Sequence, residues 1–248
     1  MKKLMLSVLM VLVFTVPAWS AELMVSAAAS LTDAFTELEG IYEKANPGVD
    51  VVMNFAASGP LYKQIEQGAP VDVFASANLK WMDKAVAGGF VLAEDAKIFA
   101  QNSLVLTAPA KNPGNVTTVQ SLTADSVKMI AVGTPETVPA GQYTKAALTK
   151  MGLWDTLAPK FIYGESVRQV LDYVVRGEVD AAFVYGTDAV KGGKAVTILE
   201  EVPLEKPVSY PAAVLKNAPN PKEAEKFFAF MLSPEGQVVL AKYGFKAP

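Results

Sequence analysis

The chain has 248 residues, of which 51% are hydrophobic and 19% are charged, with 22 basic and 25 acidic side chains. It contains no cysteine and no histidine, which excludes disulfides, cysteine metal sites, thiol nucleophiles and histidine-dependent catalytic triads. The net charge of −3 argues against nucleic acid and anionic membranes as partners.

The first predicted element is a secretory signal peptide over residues 1–20. Two lysines precede an apolar run at residues 4–16, and small residues stand at Ala18 and Ser20. The run is short for a membrane span, which disfavours the alternative of an uncleaved anchor. We expect cleavage after Ser20 and export to a bacterial periplasm. Because no cysteine follows the run, we expect no lipid anchor.

After residue 20, short apolar runs alternate with helical patterns, which is typical of α/β folds. The first set comprises strand 23–29, a helix over about 31–42, strand 49–55, helix 59–67, strand 71–75, a helix from about 78 and strand 103–107. The second set comprises strand 128–132, helix 140–150, strand 160–163, helix 167–176, strands 179–185, 196–200 and 210–215, and helices 221–232 and 233–243. This order predicts two α/β lobes with a cleft between them.

Several predicted strands end in small or hydroxyl residues and lead directly into a helix. Such junctions occur at residues 27–30, 56–59, 138–141 and 165–167. Ligands of open α/β sheets bind at the carboxyl ends of the strands, and helix starts offer unpaired N–H groups with partial positive charge. The junctions therefore predict an anion site that needs no basic side chain. The structural alternative is that Ser30 and Ser58 are ordinary helix caps.

Two further residues near these junctions, Tyr185 and Arg168, can be explained without a role in ligand binding. Tyr185 ends an apolar strand and, taken alone, is an aromatic residue at the rim of a site. Arg168 stands beside the apolar stripe of predicted helix 167–176, where a charged residue is expected to face solvent.

Five segments, taken together, resemble the periplasmic molybdate-binding proteins of bacterial ABC importers. They are residues 27–34 (AAASLTDA), 55–59 (FAASG), 68–77 (GAPVDVFASA), 138–141 (VPAG) and 183–189 (FVYGTDA). The segments occur in the same order as in the family and span nearly all of the chain after residue 20. The resemblance implies a two-lobed α/β periplasmic binding protein of type II, with the ligand cleft between the lobes. Lobe 1 is then expected over residues 21–104 and 207–248, and lobe 2 over residues 105–206.

The resemblance also implies the ligand-binding residues. In that family a tetrahedral oxyanion is held by two serines, by backbone at an alanine and a valine, and by a tyrosine hydroxyl. By motif position these are Ser30, Ser58, Ala140, Val167 and Tyr185, which would contact oxygens of the metal oxyanion and not the metal itself. The surroundings of Val167 are only loosely similar to the family, so Ser166 is the alternative at that position.

The function implied is a monomeric carrier without cofactor and without catalysis, which delivers molybdate, and tungstate of similar size, to the permease of an ABC importer. A site made only of N–H and O–H donors suits a dianion without a proton. It disfavours phosphate, because a buried P–OH would lack an acceptor. Sulfate has the same charge pattern and a smaller size, so a sulfate carrier of this architecture is the alternative.

Two other classes fit the sequence less well. An exported carboxylate-dependent hydrolase would need paired acidic residues facing one cleft, and the predicted strand ends are instead small and neutral. An iron carrier would need adjacent tyrosines as ligands, and the sequence contains no Tyr-Tyr pair.

Overall fold

The computed structural model describes residues 21–248, so the predicted signal peptide lies outside the described residues. The strands are β1 (Ala21–Ala28), β2 (Val49–Ala56), β3 (Val73–Ala75), β4 (Lys97–Asn102), β5 (Leu104–Pro109), β6 (Ile130–Gly133), β7 (Phe161–Gly164), β8 (Ala181–Tyr185), β9 (Val196–Glu201) and β10 (Val208–Val214). The α-helices are α1 (Thr32–Ala45), α2 (Ser58–Glu66), α3 (Leu79–Ala87), α4 (Pro139–Lys150), α5 (Trp154–Leu157), α6 (Val167–Val175), α7 (Gly186–Gly192), α8 (Pro221–Leu232) and α9 (Pro234–Lys242).

These strands form two five-stranded sheets of the same design. The order is β2-β1-β3-β10-β4 in the first sheet and β7-β6-β8-β5-β9 in the second. In each sheet the fourth strand is antiparallel to both neighbours: β10 lies between β3 and β4, and β5 between β8 and β9. The chain passes between the sheets at Ser103 and again at residues 202–207. Each sheet is the centre of one half of the molecule, which gives the predicted two-lobed α/β architecture.

The parallel pairing brings the ends of several strands to one edge of each sheet. β1 and β2 pair in register from Ala21 opposite Val49 to Ala28 opposite Ala56. In the second sheet β6 pairs in parallel with both β7 and β8. Since the carboxyl ends of parallel strands share an edge, the turns that follow these strands gather at one place in each half.

The helices bury their apolar sides against these sheets. The sequence predicts an apolar stripe in α6 at spacing 0, 3, 4, 7 and 8. Val167, Val170, Leu171 and Val174 are buried as predicted, whereas Val175 is exposed. No helix among residues 21–248 has both the length and the hydropathy that a bilayer crossing requires.

The strand pattern differs from the prediction in several places. β1 and β10 begin two residues earlier than predicted and β3 begins two residues later. β4 was not predicted, because its first two residues, Lys97 and Ile98, are exposed and Phe99 and Ala100 are both buried, so it lacks the alternation of a half-buried strand. β6 and β8 begin two residues later than predicted. The carboxylate of Asp180 accepts hydrogen bonds from the backbone N–H groups of residues 128 and 129 at 2.7 and 2.9 Å, and so replaces the sheet pairing there.

Candidate functional site

A small cavity with a volume of about 10 Å³ lies between the two sheets. The first half lines it with Ala28, Ala29, Ser30, Ala57, Ser58 and Ala77, and the second half with Val138, Pro139, Ala140, Val167 and Tyr185. All five residues singled out from the sequence therefore meet in one cavity. This volume is far below the roughly 300–1,000 Å³ typical of sites for drug-sized ligands, so the cavity suits a compact ion.

Helix starts form much of the cavity wall. Ser58 is the first residue of α2, Ala140 the second of α4 and Val167 the first of α6. A single 3₁₀ turn that contains Ser30 leads directly into α1. The first N–H groups of a helix have no acceptor within it and carry part of the positive end of the helix dipole. Their grouping around one cavity makes it favourable for an anion.

Neither serine of the cavity is a helix cap, so that interpretation of Ser30 and Ser58 is wrong. Ala57 precedes α2 and no side chain caps that helix. The Oγ of Ser58 instead accepts a hydrogen bond from the backbone N–H of Ala77 at 3.0 Å, and the Oγ of Ser30 lies 2.9 Å from the hydroxyl of Tyr210. Both hydroxyls are held by other parts of the first half of the molecule.

At the start of α6 the structure separates the two residues that the sequence left open. Ser166 caps the helix, since its Oγ accepts the N–H of Gln169 at 3.2 Å. Its hydroxyl is thereby engaged, and Ser166 is not among the cavity residues, whereas Val167 is. The geometry favours the backbone of Val167 as the contact from this helix.

Tyr185 is fully buried, so its interpretation as a rim residue is wrong. Its hydroxyl has no hydrogen-bond partner among the described residues. Burial raises the pKa of Tyr185 well above its ordinary value, so the phenol keeps its proton. A buried donor without a partner costs about 1–3 kcal/mol, and a ligand oxygen in the cavity would satisfy it.

Among residues 21–248, no lysine, arginine, aspartate or glutamate lines the cavity. Arg168 directly follows the cavity residue Val167 in the sequence. Its expected exposure to solvent is wrong: its side chain is only 21% exposed. The guanidinium Nη1 lies 2.7 Å from Asp33 Oδ2, Nη2 donates to the backbone oxygen of Ser30 at 3.1 Å, and Nε lies 2.7 Å from Asp188 Oδ1.

The contacts of Arg168 hold opposite halves of the molecule together. Asp33 and Ser30 belong to the first half, and Asp188, like Arg168, to the second. Asp33 also pairs with Lys191 of the second half at 2.5 Å. Sequence reasoning missed this cluster. Its only sequence signal was the occurrence of Asp33 and Asp188 within two of the recognised segments.

The two carboxylates beside Arg168 titrate differently. Burial raises the pKa of Asp188 to about 6, against the opposing effect of the Arg168 charge. Burial also acts to raise the pKa of Asp33, but the hydrogen bonds from Lys191 and Arg168 outweigh it and leave this pKa below its ordinary value. Asp33 is therefore ionised at neutral pH, whereas the pKa of Asp188 lies closer to neutral pH.

The halves also meet through Gly59 and Asn78. The N–H of Gly59 donates to the backbone oxygen of Thr137 at 3.1 Å, and the Nδ2 of Asn78 donates to Gln142 Oε1 at 2.6 Å. A Cβ at position 59 would lie 2.5 Å from the Thr137 oxygen. Glycine is needed there because the two backbones approach so closely.

Comparison with known proteins agrees with this architecture. A family model for bacterial extracellular solute-binding proteins matches residues 23–246. The molybdate-binding protein ModA of Escherichia coli is 41% identical over 227 residues, which cover 89% of this chain and 87% of ModA.

Two solved structures extend the comparison. The periplasmic molybdate-binding protein of Azotobacter vinelandii superposes with a TM-score of 0.79 at 28% identity, covering 91% of this chain and 99% of that chain. The sulfate-binding protein SubI of Mycobacterium tuberculosis superposes with a TM-score of 0.81 at 18% identity, over 92% and 87% of the two chains, and this likeness shows the fold alone. The chain therefore belongs to the bacterial extracellular solute-binding proteins, in the group that contains the molybdate-binding proteins ModA.

Proposed function

We propose that this protein captures molybdate outside the cytoplasm and delivers it to the membrane permease of an ABC importer. The observation that carries the proposal is the fully buried hydroxyl of Tyr185, which has no partner among the described residues and faces the same cavity as Ser30, Ser58, Ala140 and Val167. The names and identities of the relatives support the same cargo.

We propose that these five residues bind the oxygens of the anion. The hydroxyls of Ser30, Ser58 and Tyr185 would donate from side chains, and the backbone N–H groups of Ala140 and Val167 from two helix starts. Such donors satisfy an anion whose oxygens carry no proton, and hydrogen bonds to a charged group contribute roughly 1.5–3 kcal/mol each. Tungstate, which is nearly the same size and has the same charge, is expected to bind similarly.

Binding also requires movement of the two halves. Residues 21–104 with 207–248, and residues 105–206, would act as the lobes and close on the anion about the two passages of chain between the sheets. The mature protein would begin after Ser20, reside in the periplasm as a monomer and present its closed form to the permease. It would have no catalytic activity of its own.

Calorimetric titration of the protein from residue 21 onward, stripped of ligand, tests this function. Molybdate, tungstate, sulfate and phosphate are the four ligands to compare. The expected result is tight one-to-one binding of molybdate and tungstate and little or none of the other two. Sulfate binding as tight as molybdate binding would reassign the protein as a sulfate carrier, and no binding of any of the four would refute an oxyanion site.

A further inference from the structure

Tyr210 is not part of the cavity wall, but it touches a residue that is. It lies in β10, is fully buried, and its Oη is 2.9 Å from the Oγ of Ser30. Its ring also lies edge-on to that of Tyr185, with centroids 5.9 Å apart. The distance to Ser30 does not by itself say which of the two hydroxyls donates.

The surroundings of Asn102 determine that direction. Asn102 Oδ1 accepts the backbone N–H of Ser103 at 2.9 Å, which orients the side-chain amide. Its Nδ2 then donates to Thr187 Oγ1 at 2.9 Å and to Tyr210 Oη at 3.3 Å. An amide nitrogen can only donate, so the oxygen of Tyr210 is an acceptor toward Asn102.

The proton of Tyr210 must then go to Ser30. Burial raises the pKa of Tyr210 well above its ordinary value, so the proton stays on the phenol. Ser30 Oγ is the only other partner recorded for this hydroxyl among residues 21–248. If Ser30 donated to Tyr210 instead, the tyrosine proton would be buried without an acceptor, at a cost of about 1–3 kcal/mol.

A serine hydroxyl that accepts from the protein has its single proton left for the cavity. The hydroxyl of Ser58 also accepts from the protein, because the N–H of Ala77 can only donate to its Oγ. We propose that Tyr210, oriented by Asn102, fixes Ser30 as a donor to the bound anion and thereby selects anions that carry no proton. This inference rests on the proposed function, since it concerns the selectivity of the same site.

The Tyr210→Phe variant removes the hydroxyl and keeps the ring. Ser30 Oγ can then rotate, so it can donate to an unprotonated oxygen or accept from the P–OH of hydrogenphosphate. We expect molybdate affinity to fall about ten-fold, the equivalent of one neutral hydrogen bond. We expect the affinity for hydrogenphosphate, expressed as a ratio to the affinity for molybdate, to rise by more than about ten-fold.

Sulfate is the control ligand, because it is small like phosphate and carries no proton at neutral pH. A cavity that merely became looser would accept both anions better, whereas a hydroxyl that became free to accept would favour hydrogenphosphate alone. Tyr42→Phe is the matched control variant. It removes another tyrosine hydroxyl in the first half, one that donates to Glu223 away from the cavity, and is expected to leave selectivity unchanged.

The measurement is displacement of bound molybdate by phosphate and by sulfate at pH 7.5, with wild type, Tyr210→Phe and Tyr42→Phe. Unchanged phosphate competition in Tyr210→Phe, or an equal gain for sulfate, would overturn the role of Tyr210. Failure of wild type to bind molybdate would refute the proposed function and the inference with it.

A second variant tests the same inference in case Tyr210→Phe does not fold. Asn102→Ala removes the donor to Tyr210 and leaves both hydroxyls in place. It is expected to relax the discrimination in the same direction by a smaller factor. If it folds and discriminates like wild type, the orienting role of Asn102 is wrong.

Discussion

Arg168 and Asp33 join the two halves of the molecule beside the anion cavity, with Arg168 Nη1 2.7 Å from Asp33 Oδ2. Arg168 directly follows Val167, and Asp33 lies one helical turn after Ser30. The ion pair therefore ties together two chain segments that each hold one of the proposed binding residues. Because its charges are balanced locally, it can stabilise the closed arrangement without placing a cation against the ligand.

Asp33→Asn is predicted to accelerate release of molybdate by roughly 3- to 10-fold, the effect of losing a partly exposed interaction of about 1 kcal/mol. The change removes the ion pairs that Asp33 forms with Arg168 and Lys191 of the other half. Arg168 stays paired with Asp188 and bonded to the backbone oxygen of Ser30. The association rate is expected to change little, because the opened form presents the same donors. Stopped-flow measurement of both rates checks this.

Glu66→Gln is the control for this variant, since it breaks an exposed ion pair with Lys63 inside a single helix. It is expected to leave both rates unchanged. If Asp33→Asn also releases molybdate at the wild-type rate, the pair does not contribute to closure.

Ser58→Ala is predicted to weaken molybdate binding by roughly ten- to a hundred-fold, the value of about one charge-assisted hydrogen bond. The fold is expected to persist, with a modest loss of thermal stability because the N–H of Ala77 loses its acceptor. Calorimetry of molybdate binding measures the effect.

The control for Ser58→Ala is Ser26→Ala. Ser26 is a buried serine of β1 whose Oγ accepts from Asn54 at 3.2 Å, and it lies outside the cavity. The Ser26→Ala variant should bind molybdate with the affinity of wild type. An affinity of Ser58→Ala equal to that of this control would remove Ser58 from the site.

Gly59→Ala is predicted to impair binding by preventing full closure. The new Cβ would meet the Thr137 oxygen of the opposite half at 2.5 Å, a contact that exists only when the halves are together, and Trp81 Cζ2 of its own half at 2.8 Å. Molybdate affinity should therefore fall at least ten-fold, and the contact with the buried Trp81 should also lower the unfolding temperature of the ligand-free protein. Titration and thermal unfolding, each with and without molybdate, separate the two effects.

Gly40→Ala provides the comparison. Gly40 lies in α1 and has open space where a Cβ would be, so alanine there should raise stability slightly and leave binding unchanged. Equal molybdate affinity in the two glycine variants would show that closure does not bring positions 59 and 137 into contact.

Four of the five residues singled out from the sequence lie at junctions between a strand and a helix, which are local patterns, and the family resemblance added Tyr185. Ser30 and Ser58 could be found in this way, as could the start of α6. Arg168 and Tyr210 could not, because their roles depend on partners distant in the chain. Arg168 and Asp33 are 135 residues apart, and Tyr210 and Ser30 are 180 apart. The pattern around Arg168 reports only the apolar stripe of its helix, which says nothing of a carboxylate from the other half.

The titration of Asp188 predicts an unusual dependence of stability on pH. Its pKa is about 6 in the folded protein against an ordinary value of 3.8, because it is fully buried. Between these two pH values the folded protein binds more protons than the unfolded chain, so the contribution of Asp188 to the free energy of unfolding decreases as pH rises. Since the chain has no histidine, carboxylates dominate the titration in this window.

Asp188→Asn removes this titration and is the variant to compare. The stability of wild type relative to the variant should fall by about 1.4 kcal/mol per pH unit through the window, and by about 3 kcal/mol in all. Denaturant unfolding at pH 4.5, 5.5 and 6.5 measures the difference. The stability of wild type relative to Glu66→Gln should instead rise with pH. Hydrogen bonds from Lys63 and Tyr62 lower the pKa of Glu66, so the contribution of Glu66 to the free energy of unfolding increases with pH. A wild-type difference from Asp188→Asn that is constant across these pH values would show that Asp188 is ionised throughout, and that Arg168 compensates its burial completely.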